Sequence, residues 1–151
     1  ADSPEVRFCA AHAMFFYKEF LDAADSMPNM WVDTAAIKIQ VDVLNGLMEQ
    51  GKVDKKDLID ADFGDYLEVM KELAAAYPDL LVWGTDSPAY AFITRRENEP
   101  GKTFEYRLPG RYEDEVAALM SLPEQAVGRV SNRNTLNFLF GRNAEPKATS
   151  R

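Results

Sequence analysis

VRFCAAHAMFFYKEFLDAADSMPNMWVDT, residues 6–34, sets two short apolar runs on either side of a segment with helical spacing. Val6 to Ala11 reads as a buried strand that ends at His12. Phe15 to Ala24 follows with helical periodicity, putting Phe16, Phe20 and either Ala23 or Ala24 on one face. Asp25 to Asn29 punctuates the chain, and Met30 to Thr34 is a second strand, rich in aromatic and β-branched types. Outward from this unit the alternation continues. Ala35 to Gln50 is a predicted helix stopped by Gly51, and Asp65 to Tyr77 is another, with Leu67, Met70, Leu73 and Ala74 on its stripe. Leu80 to Trp83 is a third strand and runs into Gly84-Thr85-Asp86-Ser87-Pro88. Thr94 to Arg111 reads as a polar loop, and Tyr112 to Met120 as a helix with acids in its first turn, where the macrodipole favours them. Pro123 suits a first helical position in the last helical region, and Asn134 to Phe140 is apolar and closes at Gly141. Continuous apolar strands alternating with helices indicate α/β structure: a parallel sheet covered by helices. Three strands are few for such a layer, since a full (β/α)8 barrel takes about 250 residues. The sheet is either a small open one or is completed by something absent.

At 151 residues the chain is long enough for one domain with a real core. The formal net charge of −8, with no Lys/Arg cluster, argues against nucleic acid as a partner. No apolar stretch approaches the roughly 20 residues that cross a bilayer. Cys9 is the only cysteine, so no internal disulfide forms; in VRFCAA it reads as a buried small hydrophobe rather than a reactive thiol. A reducing compartment, the cytoplasm, fits this, and an exported protein relieved of its signal would read the same. The tail, residues 143–151, is polar and expected to fray.

In parallel α/β sheets, chemistry gathers past the carboxyl ends of the strands. His12, the only histidine, and Asp86 both fall there, and Asp33 lies at the end of MWVDT. A strand-end imidazole is either a metal ligand or proton carrier, or a structural histidine bonded to a backbone carbonyl. Asp86 sits in good turn chemistry and could equally cap the next segment of chain. Asp33 reads as structural, a strand-end acid bonded to a loop. A catalytic zinc usually takes three protein ligands, which one histidine, one strand cysteine and scattered carboxylates do not supply. No HxH, HExxH, CxxC, G-x-S-x-G, P-loop or G-x-G-x-x-G occurs.

The segment from Val6 to Ala36 resembles the part of amidohydrolase-type TIM barrels that runs from the sixth strand, ending in a ligand histidine, to the seventh. DFGDYLEVMKELAAAYPDLLVWGTDSPAY is similar to the approach to the eighth strand and its G-[TS]-D-x-P end. LPEQAVGRVSNRNTLNFLFG resembles the closing helix. The resemblance spans about Val6 to Gly141, and relatives include aminocarboxymuconate-semialdehyde decarboxylase and related hydrolases. It implies that residues 1–142 are the C-terminal half of a TIM-barrel domain, strands six to eight with their helices, followed by the flexible tail 143–151. It implies His12 and Asp86 as metal ligands, Asp86 also as the catalytic base, and a divalent metal, zinc, as the cofactor. The other ligand histidines would lie upstream. Relatives often carry glycines after the sixth-strand histidine, where this chain has Ala13-Met14-Phe15. Thr94 to Arg111 looks like an insertion at the position where specificity is set.

The expected function is therefore that of a metal-dependent hydrolase or non-oxidative decarboxylase acting on a small molecule. It would be present as an incomplete half-barrel, inactive in isolation and completed by a missing N-terminal half or by homo-oligomerisation. The competing expectation is a non-catalytic small α/β interaction domain.

Overall fold

The computed structural model describes residues 6–88 and 94–141; the tail at residues 143–151 lies outside them. The elements run β1 (Phe8–Ala10), α1 (Lys18–Asp25), β2 (Met30–Asp33), α2 (Ile37–Glu49), α3 (Tyr66–Ala76), β3 (Leu81–Val82), β4 (Thr94–Glu99), β5 (Lys102–Tyr106), α4 (Tyr112–Met120), α5 (Glu124–Gly128) and α6 (Asn134–Phe140). The protein is α/β with a small parallel sheet of order β1-β2-β3. Its register pairs Phe8 with Met30, Ala10 with Val32, Val32 with Leu81 and Asp33 with Val82. Sequence neighbours are therefore sheet neighbours, with no crossover in strand order. Among the described residues the sheet is open and has three strands, and it does not by itself make half a barrel wall.

The core lies between the sheet and the helices. Val32, Leu81, Leu21, Leu44, Met70 and Leu73 are buried together. β2 and β3 match the expectation of strands buried on both faces, but β1 does not: Phe8 is 47% exposed and Cys9 is exposed as well. Among the described residues both β1 and β3 are edge strands, but β3 is covered by α6 and by Arg129–Arg133, whereas Phe8 and Cys9 of β1 are left exposed.

The helix between β1 and β2 also departs from the sequence reading. His12 to Phe16 forms a tight turn in which all five residues have positive φ, from 48° to 62°. This turn consumes the start of the expected helix and resets its phase. Phe16 is buried, but Phe20 faces solvent, and Leu21 and Ala24 point inward instead. A Tyr77 hydroxyl bond to Asp22 Oδ1 at 2.7 Å ties the end of α3 to α1.

The segment read as a polar loop, Thr94 to Arg111, is mostly an antiparallel hairpin, β4 with β5, turning at Gly101 with φ 78°. In the last helical region Pro123 is the N-cap and α5 begins at Glu124. A π-helical turn, Arg129–Arg133, joins α5 to α6, and the Val130 carbonyl there accepts the Trp83 N–H at 3.2 Å. Among the described residues no helix is long and apolar enough to cross a membrane.

Candidate functional site

The parallel register puts the ends of β1, β2 and β3 on one rim; Asp33 is the last residue of β2, and His12 and Asp86 follow the ends of β1 and β3 by two and four residues. β2 lies between β1 and β3, so two strand spacings of about 4.8 Å separate the outer pair. At the centre of the rim, Asp33 Oδ1 accepts two backbone N–H groups, from His12 at 2.9 Å and from Ala35 at 3.0 Å. Asp33 is thus the structural acid that the sequence suggested, and it ties the β1 and β2 loops together.

His12 Nδ1 lies 3.0 Å from the Ala35 carbonyl oxygen. A carbonyl only accepts, so Nδ1 carries the proton and donates it. In the neutral ring the Nε2 lone pair is then free. This is the backbone bond of the structural reading. It is also the arrangement that orients a metal-ligating histidine from behind. Gly84 closes the loop from the other side: a Cβ there would stand 3.2 Å from the Ala35 Cβ and 3.4 Å from the Asp33 Cβ.

Asp86 is exposed, with φ 55°. The turn bond expected of it is made by its neighbour, since Thr85 Oγ1 accepts the Ser87 N–H at 3.2 Å. The Asp86 carboxylate is left facing solvent at the rim.

Sequence reasoning missed Glu115, which it counted only as a first-turn acid. Its side chain is 1% exposed and reaches the start of α2, where Oε2 accepts the Ile37 N–H at 3.4 Å; Oε1 is buried without a partner. Burial pushes its pKa up to about 7. The Asp114 and Asp86 charges add to this, while the Ile37 and Ala36 N–H groups oppose it. The signal was available: Glu115 shares a helical face with the buried Ala118 and Leu119. Its neighbour Asp114 pairs with Lys38 at 3.3 Å and accepts the Arg111 N–H at 2.9 Å, fixing the start of α4 against α2.

Cys9 is exposed at the sheet edge, which corrects its reading as a buried hydrophobe. It remains a poor nucleophile, because desolvation and then the Asp33 charge push its thiol up to about 11.

Among the described residues no three His, Cys, Asp or Glu side chains gather closely enough to hold a metal ion. Among the described residues this rim carries one imidazole and the carboxylates of Asp33 and Asp86, and Asp33 Oδ1 is already taken by two backbone N–H groups, where a catalytic zinc takes three protein ligands. No protein family model, curated protein or solved structure matches this chain.

Proposed function

We propose that this chain is the C-terminal part of a metal-dependent hydrolase or non-oxidative decarboxylase of the amidohydrolase type, contributing His12 and Asp86 to a divalent-metal site that further residues complete. The observation that carries the reading is the His12 imidazole. It is anchored through Nδ1 to the Ala35 carbonyl, with Nε2 free, on the rim that also bears Asp86. Three parallel strands in sequential order are what strands six to eight of a (β/α)8 barrel would look like. The positions where relatives often have glycine, Ala13 to Phe15, are ones whose positive φ glycine adopts without strain.

His12 and Asp86 fit as two ligands of a set, not as a complete set. When bound, a divalent cation such as zinc supplies Lewis acidity and lowers the pKa of water toward neutrality. The chain's own contribution is then specific. His12 donates its Nε2 lone pair with the ring held by Ala35. Asp86, unburdened by turn bonds, accepts a proton from water as the general base. Asp33 and Gly84 hold the loop that aims His12. The lone exposed Cys9 suits the cytoplasm. The free edge of β1 is where remaining strands, or a second copy, would add.

Titrating zinc into the chain, with affinity read by calorimetry and the one imidazole followed by nitrogen-15 NMR, tests this. We expect weak binding that shifts His12 Nε2, and at least about tenfold weaker binding in Asp86→Ala and in His12→Ala. Zinc affinity unchanged in both variants would sink the assignment. The runner-up, a non-catalytic interaction domain, is favoured by the shortfall of ligands among the described residues. It predicts no zinc shift at His12.

A further inference from the structure

Beside Asp86 the structure holds a cavity of about 510 Å³, walled on one side by Ser87 and on the other by the segment from Arg107 to Glu113. This volume lies within the roughly 300–1,000 Å³ usual for small-molecule sites. The segment that forms most of the wall comes after the hairpin and leads into α4, and it is anchored. Leu108 packs on Ala36 and Ile39. Gly110 approaches α2 so closely that a Cβ would stand 2.7 Å from Ile39 Cδ1, leaving room for no other residue without a shift. The cavity is therefore built on α2, the same helix whose start Glu115 reaches.

Its lining combines two kinds of surface. Arg107 and Arg111 both line it, and among the described residues neither has an ion-pair partner, whereas Arg95 on β4 is paired with Glu105 at 3.1 Å. Among the described residues Glu113 is the one carboxylate residue in the lining, against two arginines. Leu108, Pro109 and the half-exposed Tyr112 ring, set edge-on to Trp83 at 6.5 Å, supply an apolar wall. The start of α4 is not what attracts an anion here, because Glu113, Asp114 and Glu115 fill its first turn. The guanidiniums are: their fork of N–H donors matches an oxyanion.

We propose that this cavity is the substrate-anchoring pocket next to Asp86 and that it takes a small organic anion, a carboxylate or phosphate group on a flat apolar body. The oxyanion is held by Arg107 and Arg111, and the apolar body lies against Leu108 and Tyr112. As a substrate pocket it rests on Asp86 being catalytic; as a binding site it stands without that.

The test uses the metal-free chain, nitrogen-15 labelled, titrated separately with benzoate, phenyl phosphate and the neutral benzamide. Benzoate, phenyl phosphate or both should shift the amides of residues 107–113, and the one that binds identifies the oxyanion. Benzamide should bind at least about tenfold more weakly, the loss expected for removing a charge-assisted contact. Arg107→Gln and Arg111→Gln should each weaken anion binding by a similar factor while keeping the dispersed amide spectrum, and Arg107→Lys should recover part of it. Equal binding of benzamide, anion binding unchanged in both glutamine variants, or no binding to the unaltered chain would each overturn the proposal. Anion binding without any zinc shift at His12 would remove the hydrolase reading and leave this pocket standing. Zinc binding without anion binding would do the reverse.

Discussion

Glu115 carries a carboxyl group to a place where one oxygen has backbone donors and the other has none. Its ordinary pKa of 4.5 rises to about 7 in the folded chain. Between those values the folded state keeps a proton that the unfolded state has released. Stability is therefore highest below about 4.5 from this group, falls as the pH climbs toward 7, and levels off above it. The loss is on the order of 3 kcal/mol. Glu115→Gln keeps the shape and removes the titration. Urea unfolding at a series of pH values should show the decline in the parent protein and a flatter profile in the variant, which becomes the more stable of the two above pH 7. Parallel profiles would mean that the carboxyl is not held as described. At this scale the sequence was informative wherever strand ends dictate position, which is why His12, Asp33 and Asp86 could be singled out. It was silent on Ala35, whose contribution is a backbone carbonyl, and no residue type encodes that. It was misleading on Cys9, because an apolar run does not reveal whether another element covers its strand.

Asn134 shows how one side chain fixes an element. Its buried Nδ2 donates to the Pro78 carbonyl at 2.9 Å and to the Leu81 carbonyl at 2.7 Å, clamping the start of α6 to β3 and to the turn before it. The π-helical turn just before it gives the Val130 carbonyl to Trp83, so α6 and β3 are joined twice. Asn134→Ala would leave the buried Leu81 carbonyl and the half-buried Pro78 carbonyl without this donor, and a small void. We expect a loss of about 2–4 kcal/mol, read as a lower urea midpoint with an unchanged slope. A change below about 0.5 kcal/mol would show that the clamp carries little of the stability. Elements with a buried stripe were legible for the same reason that this clamp matters: their packing dictates their residues. α4 was read at its observed bounds, and α2 and α3 within two residues. The hairpin β4–β5 was missed because TRRENE carries no hydrophobic alternation and KTFEY offers only the pair Phe104 and Tyr106, too short a pattern for a period-2 reading to set against its polar neighbours. The remaining signal was Pro100-Gly101 at the turn, with Gly101 at φ 78°. The left-handed turn after His12 was invisible because Ala, Met and Phe do not advertise positive φ.

At the level of the whole molecule, the free side of β1 is where the architecture stays open. Phe8 N–H bonds to the Asn29 carbonyl, so the strand's alternation turns the Cys9 N–H and C=O outward, where an added strand would find them. Apolar surface surrounds that edge. Val6 and Phe8 are 43% and 47% exposed, and Arg7 Nη2 bonds to the Leu139 carbonyl at 3.0 Å, drawing Leu139 and Phe140, 51% and 67% exposed, to the same side. A surface of this kind drives association, and the net charge of −8 opposes it between identical copies. The chain should therefore self-associate reversibly, and more strongly as salt screens the repulsion. A contact held by ion pairs would instead weaken. Combining Phe8→Glu with Phe140→Glu should weaken association at least about tenfold and lower the unfolding midpoint only modestly, because Phe140 is largely in water already and Phe8 is about half exposed. Sedimentation velocity over a range of concentrations, at low and high salt, reads both effects. A chain that stays monomeric at every concentration and salt level would show that the β1 edge is not an interface, and would take away the site at which additional strands were proposed to complete the sheet.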